Sequence, residues 1–290
     1  MEKHIFKFGS GSNAIILPKK WIEKNKLKSS DTVFLSENNR GELVLSSKLM
    51  PNKTFVKIID KSTDWKLLSR FVGLYYINGI TKLTIRSKDT LTEKQVSEIQ
   101  KQIRNECPGF EIINQSNNEI QIEDFTSIRD IDIDKILSRI RSLILQEFVD
   151  VKLKNLNAVV QIEELVDRFY MLAIRYINIV QPSDMIKYYK TVILFDNIAD
   201  NLLAVVPSMN KINMDIIDKL SEIFEKSDKG FRGDQKTIVE IAAAKNDLKA
   251  QIDKLKVEKL YKRLLREIAK YSSQIAEFGL LEKDKSLEIF

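Results

Sequence analysis

From about residue 127 to the end of the chain, apolar residues recur every three or four positions, and no stretch alternates as a strand does. This spacing predicts helices that each turn one face to a core. The six predicted segments are 133–154, 157–179, 182–206, 209–227, 235–254 and 257–282. Six helices of this length fit two three-helix bundles in tandem, so we assign residues 127–290 to an all-α domain.

Residues 51–126 show a different rhythm, in which short alternating stretches lie between two amphipathic helices. The helices are predicted over Trp65–Tyr76 and Thr92–Arg104, and Thr92 with Gln95 forms the sequence signature of a capping box. Asn117 and Asn118 separate the last two predicted strands as a hairpin turn does. The order β-α-β-α-β-β predicts a small α/β sandwich, which we expect to be a ferredoxin-like linker domain.

Residues 1–50 predict four short strands around one helix that begins at Pro18. So short a domain buries little apolar surface alone, and dimerisation is the expected route to a core. The three parts together predict a multidomain α+β protein.

Composition narrows the class of protein. The chain is 43% hydrophobic and 30% charged, which is ordinary for a globular protein. Its single Cys107 excludes an internal disulfide framework, and the single His4 removes most histidine-based catalysis. We find no signal peptide, no uncharged apolar run near the ~20 residues of a membrane span, and no nucleophile–base pair. We therefore expect a cytoplasmic protein that is not an enzyme.

Two pairs of carboxylates stand out in the helical part. Asp196 and Asp200 are four residues apart in a leucine-rich segment, and Glu163 and Asp167 have the same spacing one helix earlier. Residues at i and i+4 lie on one helix face about 5–6 Å apart, where like charges repel. Two such helices packed antiparallel would bring four carboxylates together as a metal site.

The alternative is that these carboxylates form the solvated polar face of an ordinary amphipathic helix, since any such helix has both faces. If they do bind a metal, oxygen-only ligands suit Mg²⁺, Mn²⁺ or iron and fit poorly with selective zinc binding. A weaker hypothesis makes Asp196 and Asp200 the centre of a metal-dependent enzyme, which would need an open coordination position.

Basic residues outnumber acidic ones in the first fifty residues, nine against five, for a net charge of +4. This excess is either ordinary solubility or a surface for DNA phosphates, and a two-fold dimer would double it. Lysines dominate, so bidentate readout of guanine is poorly supplied and weakly specific binding is favoured.

The segment Lys7–Trp21, followed by Leu27–Asp31, resembles the AbrB/SpoVT family of swapped-hairpin DNA-binding domains. The remainder resembles PhoU, the phosphate-uptake regulator: Asp196–Asn201 is similar to its Glu/Asp-x-x-x-Asp metal motif, and Val166–Tyr170 to the preceding helix. The order of the parts resembles archaeal phosphate-uptake regulators that fuse the two domains.

This resemblance implies a homodimer through the N-terminal hairpins and iron, zinc or similar metal clusters on the bundles. It also implies DNA contacts in the N-terminal domain, which we assign to Lys7, Ser12, Asn13, Lys19, Lys20, Lys24 and Arg40.

The second bundle departs from the metal motif, because Arg266 and Lys270 stand where the carboxylate pair belongs. The earlier helix offers only Asn246 and Ala250 at the matching spacing. Either the second site is lost, or these cations supply positive charge against neighbouring carboxylates.

Two functions follow as expectations. The first is a transcriptional regulator of phosphate or metal homeostasis, with DNA held by the N-terminal dimer and the bundles sensing a metal state or a partner protein. The second is a non-DNA dimeric protein that docks on a phosphate transporter or its signalling kinase and restrains it.

Overall fold

The structure is a computed structural model that describes residues 2–37, 41, 43–46, 53–126, 128, 131–182 and 184–282, without the side chains of residues 36, 44, 46, 281 and 282. These residues form two compact units that divide near residue 52. The architecture agrees with the expected multidomain α+β class.

The first unit consists of two hairpins and one short helix. Its elements are β1 (Ile5–Phe8), β2 (Ser12–Ile15), α1 (Lys19–Lys24), β3 (Phe34–Glu37) and β4 (Leu43–Ser46). β1 pairs antiparallel with β2, and β3 with β4. Gly9 makes the first turn with a φ of 71°, a left-handed conformation that glycine adopts without steric cost. The four strands and one helix are those that the sequence predicts.

The second unit begins with the predicted β-α-β-α-β-β order. Its elements are β5 (Thr54–Ile59), α2 (Trp65–Ile77), β6 (Lys82–Ser87), α3 (Glu93–Glu106), β7 (Phe110–Gln115) and β8 (Glu119–Asp124). The capping box at Thr92 and Gln95 is confirmed, with both reciprocal hydrogen bonds formed. α2 and α3 pack against the sheet through a core that includes Leu68, Ile99 and Ile120.

The sheet order corrects the expectation of a ferredoxin-like sandwich. The strands lie in the order β5-β6-β8-β7, and β5 pairs directly with β6 in parallel. A ferredoxin-like sheet instead splits its β-α-β units around an intervening strand. Here α2 connects β5 to its neighbour β6, so no other strand lies between the two strands of the first β-α-β unit.

The helical region follows the predicted periodicity closely. Its helices are α4 (Ile133–Lys152), α5 (Leu156–Val180), α6 (Met185–Val205), α7 (Met214–Phe231), α8 (Gln235–Asp253) and α9 (Lys259–Glu277), with 3₁₀ helices at Val206–Lys211 and Phe278–Glu282. α4, α5 and α6 pack as one three-helix bundle, and α7, α8 and α9 as another. α6 also packs along α9, so a single hydrophobic core runs through both bundles.

A buried arginine ties the sandwich to the bundles within this unit. The Arg175 guanidinium on α5 is fully buried, forms an ion pair with Asp124 at the end of β8, and donates to the backbone oxygens of Tyr76 and Ile80. It also lies over the rings of Tyr76 and Phe110. Burial of an ion pair is tolerable only where hydrogen bonds replace the lost hydration; both terminal nitrogens of Arg175 are bonded here, while its Nε has no partner among the described residues. The predicted boundary near residue 126 therefore falls inside one compact unit.

The segment Met185–Lys211 is long and apolar enough to cross a membrane, with a mean hydropathy of 1.4 over its best window. The sequence excludes only an uncharged run, and this segment carries Lys187, Lys190, Asp196 and Asp200, so the two findings do not conflict. In the structure 56% of that window is buried, and α6 packs on α4, α5 and α9. A core helix of a bundle passes the same test.

Candidate functional site

The structure brings the four predicted carboxylates together. Glu163 and Asp167 lie on α5, Asp196 and Asp200 lie on α6, and the two helices run antiparallel because only four residues join them. Glu163 and Asp196 are hydrogen-bonded to Asp167, which accepts from both. Glu163, Asp167 and Asp196 are half-buried, so they do not form a fully solvated polar face.

A fifth carboxylate joins them from a third helix. Glu147 on α4 is 0% exposed, and neither of its carboxyl oxygens has a hydrogen-bond partner among the described residues. Its charge interacts with those of Glu163 and Asp200. Our sequence reasoning missed Glu147, although it lies at the i+4 and i+3 positions from Leu143 and Ile144, in the middle of the core stripe of α4.

Burial and mutual repulsion hold protons on this cluster. Burial is the main cause that raises the pKa of Glu147 to about 10, of Glu163 to about 7, of Asp167 to about 6 and of Asp196 to about 7. Burial also raises the pKa of Asp200. Neighbouring carboxylates add to the shift, since charges of like sign disfavour ionisation. We call Glu147, Glu163, Asp167, Asp196 and Asp200 the acidic cluster.

The acidic cluster contains the oxygen ligands that a cation site needs, but its carboxyl groups are not arranged around one metal position. Within the described part of the chain, the structure places no group of three or more His, Cys, Asp or Glu side chains where it could hold one metal ion. The carboxyl groups hydrogen-bond to one another instead, as protonated acids do. Oxygen-only donors and the two unpartnered oxygens of Glu147 fit a hard divalent cation.

The second bundle carries positive charge at the equivalent place. Arg266 and Lys270 lie on α9 and face α8, where Lys245 and Lys249 have the same four-residue spacing. Arg266 forms an ion pair with Asp253 at 3.3 Å, so one of the two cations does meet a neighbouring carboxylate.

The predicted DNA-binding residues occupy two places in the first unit. Lys7 on β1 lies opposite Asn13 on β2, and Ser12 is the next residue along that strand. Lys19, Lys20 and Lys24 lie on α1 and are exposed. Arg40 lies outside the described residues.

The first unit lacks a core of its own. None of its described residues with an assigned exposure is buried, and large apolar side chains face solvent, among them Ile5 at 71% exposed and Leu43 at 70%. Phe8 and Leu35 are similarly open. Exposed apolar surface of this kind is typical of protein contact surfaces.

Comparison with known proteins gives a family match for one part of the chain. Residues 7–53 match the family model of MazE, a bacterial antitoxin described as an antidote–toxin recognition domain. This match supports an N-terminal fold of the AbrB type and ends before the sandwich and the bundles begin. Searches of curated proteins and of solved structures give no significant match to the chain. MazE/AbrB-like domains commonly dimerise and bind DNA.

Proposed function

We propose that this protein is a homodimeric DNA-binding regulator in which the N-terminal unit contacts DNA and the helical region binds a divalent cation. The observation that carries the proposal is the N-terminal unit itself. It matches the MazE model, exposes its apolar strands, and presents Lys7, Lys19, Lys20 and Lys24 to solvent.

A second copy of this chain would cover the apolar strands. Two such units can share one core where each alone cannot, and a two-fold interface uses the same patch on both copies. The dimer would also double the lysines on one surface. Lysines bind phosphates as point charges, so the expected contact is to the DNA backbone with modest sequence selectivity.

The acidic cluster supports the sensing part of the proposal. Glu147, Glu163, Asp167, Asp196 and Asp200 would hold the cation, whose charge replaces the protons that now reduce their repulsion. α5 carries Glu163 and, three turns later, Arg175, which forms an ion pair with Asp124 of the sandwich. If α5 shifts when a cation binds, Arg175 would therefore transmit that movement to the sandwich.

Phosphate homeostasis is the process we propose for this regulator. Support comes from the resemblance of Asp196–Asn201 and the order of the parts to phosphate-uptake regulators. The cation would then report a metal state that accompanies phosphate supply, and a phosphate transporter or signalling kinase would be a further partner.

The test is binding of the full chain to the DNA upstream of its own coding region and to scrambled DNA, over a series of salt concentrations. We expect tighter binding to the upstream DNA and a steep salt dependence. Lys19→Ala/Lys20→Ala should weaken binding and reduce the salt slope by about 1 per lost phosphate contact. Lys229→Ala/Lys236→Ala removes the same charge from exposed sites on the second bundle and should change neither.

Each of three results would overturn one part of the proposal: DNA binding, sequence selectivity or the dimer. Absence of binding at low salt would favour the alternative of a protein-recognition module, which the description of MazE as an antidote–toxin recognition domain also supports. Equal affinity for both DNAs would leave a nonspecific binder. A monomer in sedimentation equilibrium at micromolar concentration would remove the dimer.

A further inference from the structure

A cavity of about 260 Å³ opens between α8 and α9 in the second bundle. Its wall is mostly cationic, and the lining residues are Lys245, Asn246, Lys249, Ile252, Arg266, Ala269 and Lys270. We call this the basic cavity. It lies away from both the N-terminal lysines and the acidic cluster in sequence, and neither of them accounts for it.

The basic cavity concentrates charge that the protein does not neutralise. Two cation pairs at i,i+4 spacing, one on each helix, face a common space, and like charges at this spacing repel each other. Asp253 pairs with Arg266, but no carboxylate in the described part of the chain pairs with Lys249 or Lys270. Lys245 reaches a second carboxylate, Glu277, only through the Ser273 hydroxyl, so the four cations meet one carboxylate directly, which leaves a local attraction for an anion.

Hydrogen bonds fix part of this wall in place. The Lys245 Nζ donates to Ser273 Oγ at 3.1 Å, and the Arg266 Nε donates to the Lys262 backbone oxygen at 3.1 Å. Arg266 is thus held along α9 with its terminal nitrogens toward Asp253 and the cavity. Side chains that are already positioned lose less conformational freedom when a ligand binds.

The floor of the basic cavity is apolar. Ile252 and Ala269 are buried, at 0% and 2% exposure, and both line the space. An apolar floor lowers the local dielectric response and strengthens the attraction between the cations and a bound anion. The amide of Asn246 at the wall supplies one further donor.

The donors and the volume together select the ligand class. The cavity of about 260 Å³ has room for an anion of several non-hydrogen atoms. The cations come from both α8 and α9, and three of the four are lysines, which bind phosphate groups as point charges. Four cationic side chains and Asp253 give a local net charge of +3, which one phosphate group, at about −2, does not balance fully. We propose that the basic cavity binds a small soluble polyanion with two or more phosphate groups, of which inorganic pyrophosphate is the simplest.

The experiment is titration calorimetry of the full chain with pyrophosphate, without divalent cations. We expect one site per chain, and at least a tenfold loss of affinity in Lys249→Ala/Lys270→Ala. Both lysines are exposed, so the variant should keep its fold, which circular dichroism verifies. Lys229→Ala/Lys236→Ala carries the same change in net charge, and Lys19→Ala/Lys20→Ala removes the proposed DNA contacts. Affinity in both controls should stay within twofold of wild type.

Several outcomes would overturn the proposal. They are the absence of saturable binding, an equal loss in either control, and binding of inorganic phosphate or citrate as tight as that of pyrophosphate. A loss of DNA affinity in Lys249→Ala/Lys270→Ala without any pyrophosphate binding would make the cavity part of a DNA surface instead. The pyrophosphate, phosphate and citrate measurements do not depend on whether the N-terminal unit binds DNA.

Discussion

The two bundles present the same geometry with opposite charge. Between α5 and α6, two pairs of carboxylates face each other across antiparallel helices; between α8 and α9, two pairs of cations do so. The acidic cluster is largely half-buried, and its carboxyl groups take up protons and hydrogen-bond to one another. Lysine and arginine side chains carry their charge at neutral pH, so the basic cavity depends on water exposure and one ion pair. An ion of opposite charge from outside the chain would neutralise each face.

The largest effect on stability is expected when the buried carboxylate of Asp124 loses its cationic partner. In the acidic cluster, by contrast, the buried Glu147 has no hydrogen-bond partner among the described residues. Arg175→Met leaves Asp124 buried without its cation and should cost about 3–5 kcal/mol in the free energy of unfolding. Urea denaturation measures this loss. The double variant Arg175→Met/Asp124→Asn should recover part of it, and a single-variant loss below about 1 kcal/mol would mean that the ion pair does not hold the sandwich on α5.

Removing the buried acid that has no partner should act in the opposite direction. Glu147→Leu replaces an unpartnered carboxyl by an apolar group of similar size and should raise the free energy of unfolding by about 1–3 kcal/mol in cation-free protein. Glu164→Leu makes the same chemical change at an exposed position of α5 and should give no such gain. Loss of stability in Glu147→Leu would show that the carboxyl has a partner in solution.

The acidic cluster should also make stability depend on pH. The folded-state pKa values of Glu163, Asp167 and Asp196 are raised to about 7, 6 and 7, so the folded protein holds more protons than the unfolded chain between about pH 4 and 7. Stability from these groups therefore falls as pH rises through that window.

Thermal unfolding of wild type and Asp196→Asn/Asp200→Asn at pH 5 and 7.5 checks this sign. The variant should lose less stability than wild type on going to the higher pH. At pH 7.5, millimolar Mn²⁺ should raise the Tm of wild type, EDTA should reverse the rise, and the variant should not respond. An equal response to Mn²⁺ in the variant would place the cation elsewhere.

The smallest effect on the free energy of unfolding is expected in the basic cavity. Without a polyanion, Lys249→Ala/Lys270→Ala removes repulsion between exposed cations and should change the free energy of unfolding by no more than about 0.5 kcal/mol. Lys229→Ala/Lys236→Ala is the matched comparison in urea denaturation. A loss above 1 kcal/mol in the first variant alone would show that these lysines support the bundle directly.

Local patterns predicted most of the secondary structure because helices and strands impose their own periods on the chain. The carboxylate spacing on α5 and α6 and the capping box at Thr92 were visible for that reason. The sheet order was not, since the same β-α-β-α-β-β sequence of elements can form more than one sheet. The element order itself differs from the β-α-β-β-α-β order of a ferredoxin-like fold, and the direct pairing of β6 with β5 shows the difference in the sheet.

The sequence by itself determined which helix faces are charged and which are apolar, because that follows from spacing along a single helix. The tertiary structure alone decided which faces meet. Glu147 joins the acidic cluster from α4, and Lys245 and Lys249 stand across from Arg266 and Lys270, through packing between separate helices. The physical reason is that periodicity assigns a residue to a side of its helix, while burial, repulsion and pKa depend on what covers that side.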